Sequence, residues 1–149
     1  MRGEPAAVYV DTSAVAKWYL NEPRSDVFTA WIVEQPEPWI STLTVLEMRC
    51  LLARRRRAGE ITTTLEARAF STFEEDVANA HLFLQPIDDR FLRVALALIE
   101  RLPDLPLRTL DAIHLAVARH LATPRLATAD ERMAEAAAVL GLDVIRFHP

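Results

Sequence analysis

A single cysteine, Cys50, stands in a chain of 149 residues. One thiol can neither close an internal disulfide nor build a zinc cluster, so the fold must hold in a reducing compartment, and a cytoplasmic location is expected. Long apolar runs are also lacking. The uncharged stretches fall well short of the ~18 residues a membrane helix needs, so no membrane association is expected. Met1-Arg2-Gly3-Glu4-Pro5 puts an acid and a proline where a secretory signal would be apolar, which predicts no export. Excess positive charge is missing too: 17 basic against 21 acidic residues give a net charge of −4, the wrong sign for gripping nucleic acid by overall charge. Any nucleic-acid role must use a local basic patch or a metal ion. Lysine is nearly absent, Lys17 being the sole one, so the groups available to fork onto phosphate are arginines.

What is present describes an ordinary folded domain. Hydrophobic residues make up 51% and charged residues 26%, which excludes a disordered tail or a fibrous repeat. The size scaling of folded surfaces predicts roughly 69% of the unfolded chain's surface buried, enough for one core, and residues 1–149 are read as a single domain.

Ala7-Val8-Tyr9-Val10 is a short apolar run that stops at Asp11-Thr12-Ser13, and a helix is expected from Ser13 to Leu20, broken at Asn21-Glu22-Pro23. Val27 to Val33 predicts a second helix and Trp39-Ile40 a brief strand after the prolines at 36 and 38. Leu43 to Arg57 reads as helix with Gly59 in the left-handed position beyond it. Thr64 to Ala80 (helix), His81 to Gln85 (strand) and an amphipathic helix from Asp88-Asp89 to Leu102-Pro103 follow. Thr109 is expected to cap a helix running through His120; then come a strand over Arg125–Ala127, a helix over Glu131–Leu140 stopped by Gly141, and a strand over Asp143–Phe147. Five strands separated by helices cannot pair as hairpins, so an α/β fold is expected, a parallel sheet with helices on both faces. In such sheets ligands bind beyond the carboxyl ends of the strands.

Asp11 and Asp130 follow the first and fourth strands, at that edge. Each also precedes a helix, where aspartate commonly caps free backbone N–H groups. Asp111, in the first turn of its helix, is stabilised there by the dipole. Glu47 differs, because it lies in Leu43-Thr44-Val45-Leu46-Glu47-Met48 with Leu43 and Leu51 as its i−4 and i+4 neighbours. A carboxylate among leucines is rarely buried unless paired or bound to a cation. Four carboxylates in one pocket are tolerable only if some are protonated or a hard cation sits among them. Oxygen donors without clustered histidine or cysteine suit Mg²⁺ or Mn²⁺ rather than zinc. Thr12, Ser13 and Thr128 add hydroxyls that can hydrogen-bond to the carboxylates.

Val10-Asp11-Thr12-Ser13-Ala14, Ile40-Ser41-Thr42-Leu43-Thr44-Val45-Leu46-Glu47, Leu110-Asp111-Ala112-Ile113-His114-Leu115-Ala116 and Leu126-Ala127-Thr128-Ala129-Asp130 resemble, in order, the four motifs of PIN-domain ribonucleases. Compact length and motif order are most similar to the VapC-type toxins of bacterial and archaeal toxin–antitoxin pairs. The resemblance spans Val8 to Ile145. It implies a three-layer α/β/α fold around a central parallel sheet of about five short strands. Asp11, Glu47, Asp111 and Asp130 become the catalytic, metal-binding quartet, with Thr128 in support. It also implies an RNA substrate, an antitoxin partner and a homodimer. The chain departs where some relatives carry a further acidic residue shortly after the last aspartate: Glu131 is adjacent and Met133 is apolar.

Arg54-Arg55-Arg56-Arg57 is the densest positive run, read either as a solvated helix end complementing the dipole or as an RNA contact. His114 is three residues from Asp111 but lies in an apolar stripe, so a core or supporting histidine is expected. Cys50 is expected in the core, and Trp18, Trp31 and Trp39 in the core or an interface. A phosphoaspartyl phosphatase also places its nucleophile after the first strand. It wants a second aspartate two residues later, where Ser13 stands, and a downstream lysine, which is absent. A metal-binding scaffold without catalysis is the non-enzyme alternative. Neither His81, His114, His120 nor His148 forms a recognisable acid–base pair, which favours water activated by a metal over attack by the RNA's own 2′-hydroxyl.

Overall fold

The computed structural model describes residues 7–122 and 124–149. Strand β1 (Ala7–Val10) is followed by helices α1 (Thr12–Tyr19) and α2 (Ser25–Ile32), then by β2 (Glu37–Ser41). Helices α3 (Thr42–Arg57) and α4 (Thr63–Ala78) lead to β3 (Phe83–Gln85); α5 (Asp89–Arg101) and α6 (Thr109–His120) lead to β4 (Arg125–Thr128); α7 (Glu131–Val139) leads to β5 (Asp143–Arg146). The strands form one five-stranded sheet in the order β3-β2-β1-β4-β5, parallel throughout. The expected α/β fold is present.

Side chains alternate across the strands, and the alternation builds two cores. Val8 and Val10 of β1, Ile40 of β2 and Ala127 of β4 pack under α1 to α4, together with Phe28, Met48 and Phe73. Tyr9 and Leu126 point to the other face and meet α5, α6 and α7 through Leu98, Leu115 and Met133. The three layers follow from that two-residue period. Because β2 leaves β1 on one side and β4 joins it on the other, the chain reverses its winding between β1 and β4. This is the switch point at which open parallel sheets form a crevice.

Local chemistry accounts for where elements stop. Gly59 (φ 74°) and Gly141 (φ 82°) adopt the left-handed conformation just beyond α3 and α7, as the sequence predicts. The third strand begins two residues later than expected because residues 80–82 close α4. Ala80 is left-handed at φ 58°, and the His81 backbone N–H donates to the Asp76 carbonyl at 2.8 Å. Thr109 is not the cap of α6 but its first residue. Arg108 holds the cap position in an extended conformation, and its backbone N–H donates to Asp111 Oδ2 at 3.4 Å. Cys50 is exposed, not in the core. On α3 the buried positions are Thr44, Met48 and Leu52, one turn apart, and residue 50 lies on the opposite side of the helix. Trp18 and Trp31 pack, half-buried, against the first core and Trp39 against the second. Among the described residues no helix is long and apolar enough to cross a membrane.

Candidate active site

At the switch point a cavity of about 570 Å³ opens over the carboxyl ends of β1 and β4. Asp11, Glu47, Asp111 and Asp130 all line it, as do Thr12 and Ser13. The topology explains the convergence: Asp11 ends β1, Asp130 follows β4, and α3 and α6 bring Glu47 and Asp111 in from either side. The Asp11 backbone N–H donates to the Ala127 carbonyl at 3.1 Å, tying the two strand ends together.

The capping and pocket readings of the aspartates are compatible, because each carboxylate divides its oxygens. Asp11 Oδ1 accepts from the Ala14 N–H at 3.1 Å and from Ser13 Oγ at 2.7 Å, while Oδ2 accepts from Thr128 Oγ1 at 2.6 Å. Asp130 Oδ1 caps α7 through the N–H groups of Arg132 at 2.9 Å and Met133 at 3.2 Å; its Oδ2 accepts from Arg108 Nη2 at 3.3 Å. Asp111 Oδ2 accepts from Arg108 Nε at 3.1 Å. Glu47 Oε1 accepts from Thr12 Oγ1 at 2.7 Å and lies 2.5 Å from His114 Nε2. The three hydroxyls singled out in the sequence therefore each hold a carboxylate of the quartet.

Burial pushes the Asp11 carboxyl up from its ordinary pKa, although the charge of His114 and the bonds from Thr128, Ser13 and the Ala14 N–H pull the other way. Glu47 is also penalised by burial, yet the hydrogen bond and charge of His114, with Thr12 and Arg108, outweigh that penalty and hold it below the usual range. One carboxylate is thus poorly compensated and its neighbour well paired.

Arg108 carries no mark in the sequence, since an arginine after Pro106-Leu107 reads as an exposed loop residue. Its guanidinium spans Asp111 and Asp130, where positive charge offsets their repulsion. Among the described residues no three His, Cys, Asp or Glu side chains are gathered tightly enough to clasp an ion as they stand. The donor set nevertheless suits a hard divalent cation: it is all oxygen, it surrounds one cavity, and a cationic group already bridges two of its members.

The arginine run splits. Arg54 and Arg55 line the cavity, and Arg55 is held by Glu22 at 2.5 Å and Glu60 at 2.7 Å. Arg56 turns to the buried Glu66 at 2.7 Å, and Arg57 is exposed away from the cavity. Lys17, although buried, also reaches the cavity, with Nζ donating to the Pro23 carbonyl at 2.7 Å. An acidic floor is therefore flanked by cationic side chains.

A parallel sheet of this order with acidic residues gathered over β1 and β4 defines the PIN class of α/β proteins, and residues 8–139 match the PIN domain family, to which the chain belongs. Within it, the chain is 38% identical over 143 residues to Ribonuclease VapC46 of Mycobacterium tuberculosis (strain ATCC 25618 / H37Rv), a match covering 94% of this chain and 97% of that protein. Solved structures share the fold. The M. tuberculosis VapC20 toxin, described as cleaving the sarcin–ricin loop, superposes with a TM-score of 0.69 at 19% identity, covering 91% of this chain and 95% of its own. A toxin–antitoxin complex from Klebsiella pneumoniae gives 0.59 at 20% identity, covering 93% and 95%.

Proposed function

We propose that this protein is a metal-dependent endoribonuclease and the toxin of a type II toxin–antitoxin pair, acting in the cytoplasm as one PIN-like unit. The observation that carries the reading is the convergence of Asp11, Glu47, Asp111 and Asp130 on one cavity at the sheet's switch point, in a chain 38% identical to a ribonuclease over nearly its whole length. Those four carboxylates would hold Mg²⁺, with Mn²⁺ as a substitute. When bound, a divalent cation supplies a water acidified for attack on phosphorus and positive charge against the phosphoryl oxygens.

The chain's own residues do the rest. Thr128 and Ser13 fix the rotamer of Asp11, and Thr12 and His114 that of Glu47, so the donors are oriented before substrate arrives. Arg108, its side chain 64% exposed and its ion pairs to Asp111 and Asp130 screened by solvent, is placed to turn to an RNA phosphate. Arg54 and Arg55, at the other side of the cavity, are placed to meet the next phosphates of the strand.

Leu46 (62% exposed) and Leu110 (45% exposed) stand among the residues lining the same cavity. An apolar mouth over an acidic floor suits an antitoxin segment that covers leucines while blocking RNA. A homodimer belongs to the same reading. Exposed Val27, Val33 and Leu46 offer apolar surface for it within residues 13–52, and a second stripe runs along α5 through Leu92, Leu96 and Ile99.

The test is incubation of purified, partner-free protein with total cellular RNA, with and without Mg²⁺, followed by mapping of new 5′ ends. Discrete new ends that require the cation support the proposal. An absence of cation-dependent ends would overturn it.

A further inference from the structure

Glu47 is anchored from inside the protein. Behind it, His114 Nδ1 lies 2.6 Å from the Tyr9 hydroxyl, which is 3.0 Å from Ser41 Oγ. Tyr9, His114 and Ser41 are all buried. The chain of contacts Ser41–Tyr9–His114–Glu47 therefore crosses β2, β1, α6 and α3, joining three separate stretches of the chain.

The proton inventory of these groups fixes the direction of the bond to Glu47 in either charge state of the ring. An ionised carboxylate only accepts, so His114 Nε2 carries the proton that goes to Glu47 Oε1. In the neutral ring Nδ1 then accepts the Tyr9 O–H, whereas in the protonated ring, whose charge acts on Asp11 and Glu47, Nδ1 donates to the Tyr9 oxygen. In the first case Tyr9 has no second proton and Ser41 Oγ donates to it; in the second the Tyr9 O–H donates to Ser41 Oγ. Without the tyrosine hydroxyl the ring loses its second anchor, and in its neutral form is free to carry its proton on Nδ1, turning a lone pair of Nε2 toward the carboxylate. Both hydrogen bonds described for Glu47, from His114 and Thr12, fall on Oε1. Oε2 is the oxygen that neither donor uses.

We propose that Tyr9 and His114 are positioning residues, a buried relay that fixes Glu47 through Oε1 and so reserves Oε2 for a divalent cation in the cavity. The relay rests on the metal reading given under Proposed function. Its physical effect is preorganisation: a glutamate free on the helix surface would have to give up side-chain freedom when the ion binds, whereas here that freedom is already lost in the folded protein. Neither residue is within the quartet, and neither lies on the same stretch of chain as Glu47.

The experiment is Mn²⁺ affinity of the full chain in the absence of RNA, followed by the electron paramagnetic resonance signal of free Mn²⁺. Groups that orient a metal ligand cost about 10- to 100-fold in metal affinity when removed, which is the loss expected for His114→Ala. Tyr9→Phe deletes one oxygen without changing shape and is expected to weaken binding about two- to tenfold, the worth of one hydrogen bond. In a Glu47→Gln background neither substitution should weaken binding further, because both act through that carboxylate. A role confined to core packing would instead give equal losses in both backgrounds, or none, and either result overturns the relay. Should His114→Ala fail to fold, Tyr9→Phe alone decides, and unchanged Mn²⁺ affinity in that variant overturns the relay. Wild-type protein without saturable Mn²⁺ binding would remove the metal reading and the relay together; wild-type binding with unaffected variants removes the relay alone.

Discussion

Asp11→Asn is expected to lower RNA cleavage by more than about a hundredfold while leaving the protein folded. Groups that merely support a metal ligand cost about 10- to 100-fold when removed, and Asp11 is proposed as a ligand itself. A hard divalent cation is held largely by ligand charge, and asparagine keeps the shape of aspartate without the charge. The metal-free fold loses little by the change. Burial already disfavours the ionised form of Asp11, and the amide oxygen can still accept from the Ala14 N–H that caps α1. Circular dichroism and a single cooperative melt would establish the fold, and cleavage of a defined RNA would give the activity. Wild-type cleavage rates in the folded variant would show that the quartet is misassigned.

Phe73→Ala is expected to have the largest effect on stability. Its ring is fully buried where α4 packs on α1 and α3, edge-on to Tyr19 at 5.5 Å and beside Phe70 at 6.0 Å. Truncating such a ring costs about 3–5 kcal/mol, the transfer term plus the cavity left behind. Against a typical total of about 5–15 kcal/mol, that is a third or more of what holds a domain together. The consequence reaches the site, because α4 packs on α3, and α3 presents Glu47. Urea denaturation should show a lower midpoint with an unchanged slope. A loss below about 1 kcal/mol would show that α4 is not anchored through this ring.

Much of this organisation is legible along the chain because it is local. Val8-Tyr9-Val10 followed by Asp11 announces a buried strand and an acid at its end; Glu47 amid leucines is conspicuous for its cost. Gly59 and Gly141 mark helix ends for a reason contained in their own φ angles. What the sequence hides is long-range pairing. Arg108 bridges Asp111 and Asp130, and nothing in Pro106-Leu107-Arg108 signals that an acid 22 positions on will accept from it. Tyr9 and His114 are 105 residues apart and each reads as an ordinary core residue until the sheet and α6 bring them to 2.6 Å. The arginine run looks uniform in sequence, but a helix turns successive residues by about 100°, so Arg55 meets the cavity while Arg56 meets Glu66. Cys50 was legible in principle: the four-residue spacing of Thr44, Met48 and Leu52 already puts it on the outside.

On the proposed mechanism water, not the RNA's 2′-hydroxyl, is the nucleophile and a divalent cation is required. An RNA substrate carrying a single 2′-deoxy substitution at the scissile nucleotide tests both parts at once. Cleavage should persist with Mg²⁺, leave a 5′-phosphate and a 3′-hydroxyl, and stop on addition of EDTA. A 2′,3′-cyclic phosphate from the unmodified RNA, loss of cleavage at the deoxy position alone, or activity undiminished by EDTA would contradict it.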